Sequence, residues 1–341
     1  ALAVDGRLTV SDTEDPVRFH PLASEDFRLT LADNRIHASG ALVHPASGTR
    51  VTQATIDHDL GTGAGRALLD VPGLRFTPAF QPEQLTPLTL RVLARVDGTL
   101  TGQGRVEWDA NEMRSSGSFA TEDANIAAPF GPVQGITTRI DFTDLLGLTT
   151  APGQEARIRL IQPGIDVYDG VVRYQLRPDY HVAVESGRWP FAGGTLSLEP
   201  TILDFSQEST KYLTFRVEAL DAARFIQQLE FSNIAATGTF DGVIPMQFTQ
   251  VDGRAEGRIS GGRLVARRPE GGTLSYVGEL TDRDLGAYGV LAFDALKSMR
   301  YSRLELTLDG SLDGEFLTRV DMDGIARDAA GTRQPSGGIP A

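Results

Sequence analysis

The sequence predicts an all-β, antiparallel fold, and three observations predict it. Apolar and polar residues alternate one for one in segment after segment. Asp-Gly pairs and other Gly, Asp and Pro breaks separate those segments. Only two stretches carry a helical period instead. Leu304, Leu306 and Leu308 interleave with Arg303, Glu305, Thr307 and Asp309, and Leu213, Phe215 and Val217 interleave with Thr214, Arg216 and Glu218. Leu88, Leu90, Val92, Ala94 and Val96 alternate against Thr89, Arg91, Arg95 and Asp97, with Leu93 as the exception. Successive strand side chains point to opposite faces, so each segment reads as a strand with one apolar and one wet face.

Taken in order, the chain opens on Ala1-Leu2-Ala3-Val4, which reads as the middle of a strand. With no initiator Met, it is expected to be a fragment of a longer protein. Strands are expected at 27–31, 35–42, 88–96, 99–108, 117–119, 137–142, 156–161, 171–176, 181–185 and 195–198. Further strands follow at 212–219, 238–248, 253–259, 263–266, 303–309 and 315–322. Asp97-Gly98, Asp169-Gly170, Asp241-Gly242, Asp252-Gly253, Asp309-Gly310 and Asp313-Gly314 are hairpin signals, because tight type I′ turns need positive φ. Asp221 can cap a short helix that places Ala222, Phe225, Ile226 and Leu229 on one face. A second helix is expected over about 282–299, with Gly289, Ala292, Phe293, Leu296 and Met299 on its face. Stretches 98–108, 193–198, 238–248 and 257–266 share a Gly-led strand pattern, compatible with a divergent repeat. Residues 328–341 read as a disordered polar tail.

Composition narrows the function classes. The formal net charge is −13 and only Lys211 and Lys297 are lysines, so nucleic acid, which needs clustered cations, is not an expected partner. Cysteine is absent, which removes disulfides, thiolate metal sites and cysteine nucleophiles. No run of about 18 or more apolar residues spans a membrane.

Catalytic patterns do not emerge. His20, His37, His44, His58 and His181 have no metal-ligand spacing, and His37 and His58 read as strand-face residues. Gly61, Gly63 and Gly65 lack the following helix that a dinucleotide loop requires. Asp282 and Asp284 start like a calcium loop, but Gly286 stands where the next acid belongs. Asp321 and Asp323 alternate with Met322 as solvated charge, and no G-x-S-x-G elbow exists. No catalytic residue, metal or cofactor is assigned, and a non-enzymatic role is expected.

The apolar faces leave two readings: stacked sandwiches in a structural or adhesive module, or one sheet curled into an open trough. An aliphatic trough suits acyl chains, because each methylene withdrawn from water contributes about 0.8 kcal/mol. The C-terminal third favours the trough. Ala235-Ala236-Thr237-Gly238-Thr239-Phe240-Asp241-Gly242-Val243-Ile244-Pro245-Met246 is followed by the run from Asp252 to Leu264. Arg268-Pro269-Glu270-Gly271-Gly272-Thr273-Leu274-Ser275-Tyr276, Phe293-Asp294-Ala295-Leu296 and Tyr301-Ser302-Arg303-Leu304 complete the block. Over 217–327 this resembles the conserved C-terminal block of the YdbH-like family of the AsmA superfamily. One departure is Pro269-Glu270-Gly271-Gly272, where Pro-Gly-Gly is expected; it lengthens a loop.

The resemblance implies an elongated, curved β-groove with the two short amphipathic helices near its C-terminal end. It implies a groove segment over 1–216 and a closing block over 217–327. It also implies phospholipid as cargo, carried without chemistry across the periplasm of a Gram-negative bacterium. An inner-membrane anchor would lie in an upstream part of the protein, and a small outer-membrane lipoprotein would join by strand addition. A runner-up reading, dicarboxylate binding, finds no convergent Arg pair to support it. On apolarity, the expected groove lining is Leu88, Leu90, Val92, Val182, Val184, Leu196, Leu198, Leu213, Phe215, Val217, Leu304, Leu306 and Leu308. The last strand, carrying Phe316, Thr318, Val320 and Met322, is followed only by polar residues and is the expected partner edge.

Overall fold

A computed structural model describes residues 2–326 except 91, 129–130, 164, 229–232, 252–253, 277–298 and 313–315. The helix expected over 282–299 and the tail expected over 328–341 lie outside the described residues, apart from Met299, which opens a strand. Among the described residues the fold is all-β and antiparallel, with 21 strands and few helical residues. It divides into two compact units.

The first unit comprises Ala1–Gln162, Asp169–Gly187 and Pro200–Ser209. Its core is a meander of β1 (Leu2–Val10), β2 (Leu22–Ala32), β3 (Arg35–Val43), β4 (Arg50–Asp59), β5 (Gly65–Phe76), β6 (Ala94–Trp108), β7 (Met113–Ala128) and β8 (Gly131–Asp144). Each strand pairs antiparallel with the next. Strands β9 (Thr149–Thr150) and β10 (Gln154–Ile161) both add to β8. After β11 (Val167–Arg177), the start of β12 (His181–Phe191) pairs with β14 (Thr201–Asp204).

The second unit comprises Pro163–Tyr168, Arg188–Glu199 and the chain from Thr210 onward. Its ladder runs through β13 (Gly194–Leu198), β15 (Lys211–Asp221), β17 (Thr239–Val251), β18 (Arg254–Ala266), β20 (Met299–Ser311) and β21 (Phe316–Ala326). The short β16 (Ile234–Ala236) pairs with β19 (Gly272–Tyr276), which joins the start of β20. Helix α1 (Ala222–Gln228) follows β15 directly, and Asp221 caps it as expected: its Oδ1 accepts the Arg224 N–H at 2.9 Å.

Four of the six Asp-Gly signals are not hairpin turns. Asp97-Gly98, Asp169-Gly170, Asp241-Gly242 and Asp309-Gly310 lie inside β6, β11, β17 and β20. The expected breaks become irregularities within longer strands, because a bulge absorbs a positive-φ residue as readily as a turn does. Thus 253–259 and 263–266 fuse into β18, with a register shift between Ile259 and Gly262. There Gly261 takes φ +69 and gives its N–H to Asp309 Oδ1 at 2.7 Å.

The strand expected at 88–96 is also overturned. Residues 77–90 and 92–93 form a strap with two single-turn 3₁₀ helices, Pro82–Gln84 and Pro87–Thr89, and β6 begins only at Ala94. Pro at the first helical position fixes the φ a helical turn needs. Thr86 completes the turn, its Oγ1 accepting the Leu88 N–H at 3.2 Å and donating to the Arg18 carbonyl at 2.6 Å. The strap lies on the apolar face of β5 and β6. Phe80 packs there with Val71, Leu74, Phe76, Val96 and Phe119.

Candidate functional site

Residues directly opposite each other in an antiparallel pair share a face, so the registers trace which side chains line up across each unit. In the second unit one row runs Leu196, Val217, Gly242, Leu264, Leu306, Val320 through six strands. Beside it run Leu198, Phe215 and Ile244. Five expected lining residues, Leu196, Leu198, Phe215, Val217 and Leu306, therefore fall in these two rows. Leu213, opposite Met246, and Leu304 and Leu308 of β20 lie at even spacing from them, on the same face. Exposure along the row rises toward β21: Val217 is 1% exposed, Leu264 3%, and Val320 48%. Leu306 and Leu308 are half-buried.

The opposite face of this unit is ionic. Arg216 pairs with Glu199 at 2.6 Å, and Arg263 with Glu305 at 2.5 Å. Arg267 grips Asp241 through two bonds of 2.6 and 2.7 Å, while Asp241 Oδ1 accepts the Ala219 N–H at 2.8 Å. Ala219 stands at φ +55, within the register shift between β15 and β17. The Arg267 guanidinium, helped by the Ala219 N–H, holds the Asp241 carboxyl below the usual range against a desolvation that pushes it up.

The first unit carries its own row, Val4, Leu29, Ala38, Ile56, Ala67, Val106, through six strands. A second row of seven runs Leu2, Leu31, Ile36, His58, Gly65, Trp108, Met113. Sequence reading did not single out these rows. Ala, Gly and His interrupt them, and the strand-by-strand alternation that would reveal them is visible only once the register is known. Most are half-buried, and Leu2 and Met113 are 56% and 57% exposed. The Trp108 ring lies over Gly65, and its Nε1 donates to His58 Nδ1 at 3.2 Å.

Of the remaining expected liners, Val184 is buried opposite Thr201, and Val182 is half-buried opposite Leu203. Leu88 and Val92 are half-buried in the strap, and Leu90 is 50% exposed there. Among the described residues no group of His, Asp or Glu is placed to hold a metal ion, and no helix is long and apolar enough to cross a membrane. His37 sits on a strand face beside Asp57, at 2.9 Å.

Strand β21 spans 316–326, longer than the expected 315–322, and its one ladder among the described residues is to β20. Thr318, Val320 and Met322 stand opposite Leu308, Leu306 and Leu304, and Phe316 opposite Gly310. The even positions of β21 therefore continue the apolar face of β20. Leu317 is 74% exposed on the other face.

Several of the motif residues quoted for the sequence resemblance meet in one place. Tyr301 is 2% exposed, and its hydroxyl donates to the Thr237 carbonyl at 2.5 Å. A Cβ on Gly238 would come 2.2 Å from that hydroxyl, and one on Gly272 2.3 Å. Thr237-Gly238, Gly271-Gly272 and Tyr301, far apart in sequence, form one packed corner with Phe240. Burial pushes the Tyr301 phenol up to about 12, so it stays a neutral donor.

Compared with known proteins, the chain has no match among curated sequences and none among solved structures. One family model does match, YdbH-like, described as intermembrane phospholipid transport protein YdbH, and it covers residues 2–335. That span takes in both ladders and both apolar faces as well as the Tyr301 corner, and on it the chain belongs to the YdbH-like family.

Proposed function

We propose that the apolar rows hold phospholipid acyl chains, and that the protein moves lipid between the inner and outer membranes across the periplasm without chemistry. The observation that carries this is the six-strand row from Val4 to Val106, apolar at every position and mostly half-buried, together with the open end of the second unit's row at Leu306 and Val320. A methylene seated on such a surface gains about 0.8 kcal/mol, so a few turns of acyl chain suffice for useful affinity while no single residue dominates. Headgroups remain in water at the open side.

The test is photocrosslinking of purified protein loaded from phospholipid vesicles. Probes at Ile56, Leu306 and Leu308 are expected to capture lipid, and probes at Arg216 and Glu305 are not. Equal labelling of both faces refutes the reading, and the absence of any bound lipid by native mass spectrometry favours a structural module.

The even positions of β21 support a second element of the same reading: docking of a small outer-membrane lipoprotein by strand addition. An added strand would extend both ladder and apolar floor. Adjacent residues of a strand direct their N–H groups to opposite sides. One of Arg319→Pro and Val320→Pro therefore removes an outward donor and is expected to abolish docking with the fold retained. Undiminished binding by both variants excludes this edge.

A further inference from the structure

The half-open rows of the first unit carry one polar pair. His58 of β4, Gly65 of β5 and Trp108 of β6 stand opposite one another in register. Gly65 has no side chain to separate its neighbours, and a Cβ there would collide with the Trp108 ring. The indole therefore reaches across β5. It stacks on the imidazole with ring centroids 6.0 Å apart and planes at 26°, and Trp108 Nε1–H donates to His58 Nδ1 at 3.2 Å. An indole nitrogen only donates, so Nδ1 accepts and carries no proton. The imidazole is thus neutral, with its one proton on Nε2. That Nε2–H has no acceptor among the described residues, and both rings are half-buried rather than sealed in.

The surroundings say what could meet this donor. Two residues back along the same three strands, about 6.6 Å away, stand Ile56, Ala67 and Val106, on the same face and also half-buried. The six positions form one contiguous surface, apolar on one side and bearing the donor on the other. Beyond His58 the chain turns, and Asp59 Oδ1 accepts the Gly61 N–H at 2.8 Å. The pair therefore marks the border between apolar floor and polar turn, where an indole with one apolar and one wet end is at home. Neither row contains a Lys or Arg. Phosphate recognition draws on charged donors, whereas a single neutral donor matches a neutral carbonyl.

We propose that His58 Nε2–H holds the ester carbonyl of an acyl lipid whose chain lies on the row of Ile56, Ala67 and Val106. The assignment rests on the lipid-carrying reading above. It adds a fixed depth to it: the ester stands level with His58, the chain on the apolar row and the headgroup beyond the β4–β5 turn. It also makes the site selective for ester-linked lipid, since an ether oxygen in place of the ester offers no carbonyl to accept the bond.

Native mass spectrometry of the whole chain tests this, after loading from vesicles of diacyl phosphatidylcholine or of its dialkyl ether analogue with the same headgroup and chain length. Wild type is expected to retain the diacyl lipid about three- to tenfold better, the scale of one neutral hydrogen bond. The double variant His58→Phe, Trp108→Phe keeps a ring at both positions and removes both donors, so that a freed indole N–H cannot take over from the imidazole. It is expected to retain the two lipids equally. Circular dichroism verifies its fold. A preference that survives in the double variant overturns the proposal, as does equal retention of both lipids by wild type, and either result leaves the lipid-carrying reading standing. Equal retention by wild type that falls alike for both lipids in the double variant moves the donor to the phosphodiester and likewise overturns the ester assignment. Retention of neither lipid by wild type overturns both readings.

Discussion

The apolar face of the first unit and that of the second are built differently from the same alternation. Across β1 to β6 the rows hold Ala38, Ala67, Gly65 and His58 among larger residues, and most positions are half-exposed. Where this face carries bulk, at Val71, Leu74, Phe76 and Phe119, the chain covers it with its own strap. Across β13 to β18 the Leu, Val and Phe of the rows are buried nearly completely, with Gly242 and Ile244 half-buried between them, and exposure rises at Leu306 and Val320 of β20 and β21. Pattern alone therefore specifies that an apolar face exists, while side-chain size specifies how much room is left on it. Small residues leave a surface for an occupant, and large ones either meet each other or are covered.

The comparison breaks most sharply under truncation. Phe215→Ala removes a ring that is 2% exposed and touches Trp189, and is expected to cost about 3–5 kcal/mol. Ile56→Ala, on the half-buried row, is expected to cost about 1–2 kcal/mol and to weaken lipid retention instead. The two tryptophans make the measurement separable, since Trp108 reports the first unit and Trp189 the second. Urea unfolding followed in a Trp108→Phe background reads the second unit alone. Equal losses at both positions would dissolve the distinction between a packed and an open face.

The strap gives the next effect. Phe80 is 4% exposed and stacks on Phe76 at 5.9 Å. Phe80→Ala is expected to destabilise the first unit by about 3 kcal/mol or more. Leu90→Ser, in the same strap but half-exposed, should stay within about 0.5 kcal/mol. The Trp108 signal in a Trp189→Phe background checks both. A large loss at Leu90 would mean that residue faces the core after all.

How these features read from sequence follows the range of the interaction behind them. Alternation is local, so the strand class, the Asp221 cap and the shared apolar face of Leu213, Phe215 and Val217 were legible. Bulges are not local. Asp241 and Asp309 resemble hairpin residues until the partner strand shows that their carboxylates serve Ala219 and Gly261 across the ladder. The strap was hidden for a related reason: alternation from Leu88 to Val96 fits a strand, and Pro87 and the Thr86 cap decide otherwise. The first-unit rows and the contact of His58 with Trp108 depend on register and packing, which no local pattern encodes.

The smallest effect concerns acid. Asp241 on the ionic face fixes a bulge that lets β15 and β17 realign, and its folded-state pKa is lowered, first by the Arg267 side chain. A depressed carboxylate stabilises the fold fully above its unfolded value, near 3.8, and that contribution is lost as pH falls through the lower folded value. Its partner is half-exposed, so solvent screens the pair and the effect is modest. The first unit has its own counterpart in Asp26, which lies in the register shift between Ala23 and Arg28, accepts the Ala41 N–H at 2.8 Å and is held low first by that bond. Asp241→Asn should therefore flatten the stability of the second unit between about pH 4 and pH 2 relative to wild type, with Trp189 as the probe. The Trp108 transition should keep its wild-type pH dependence. A flattened Trp108 transition would show that the two faces share one acid response.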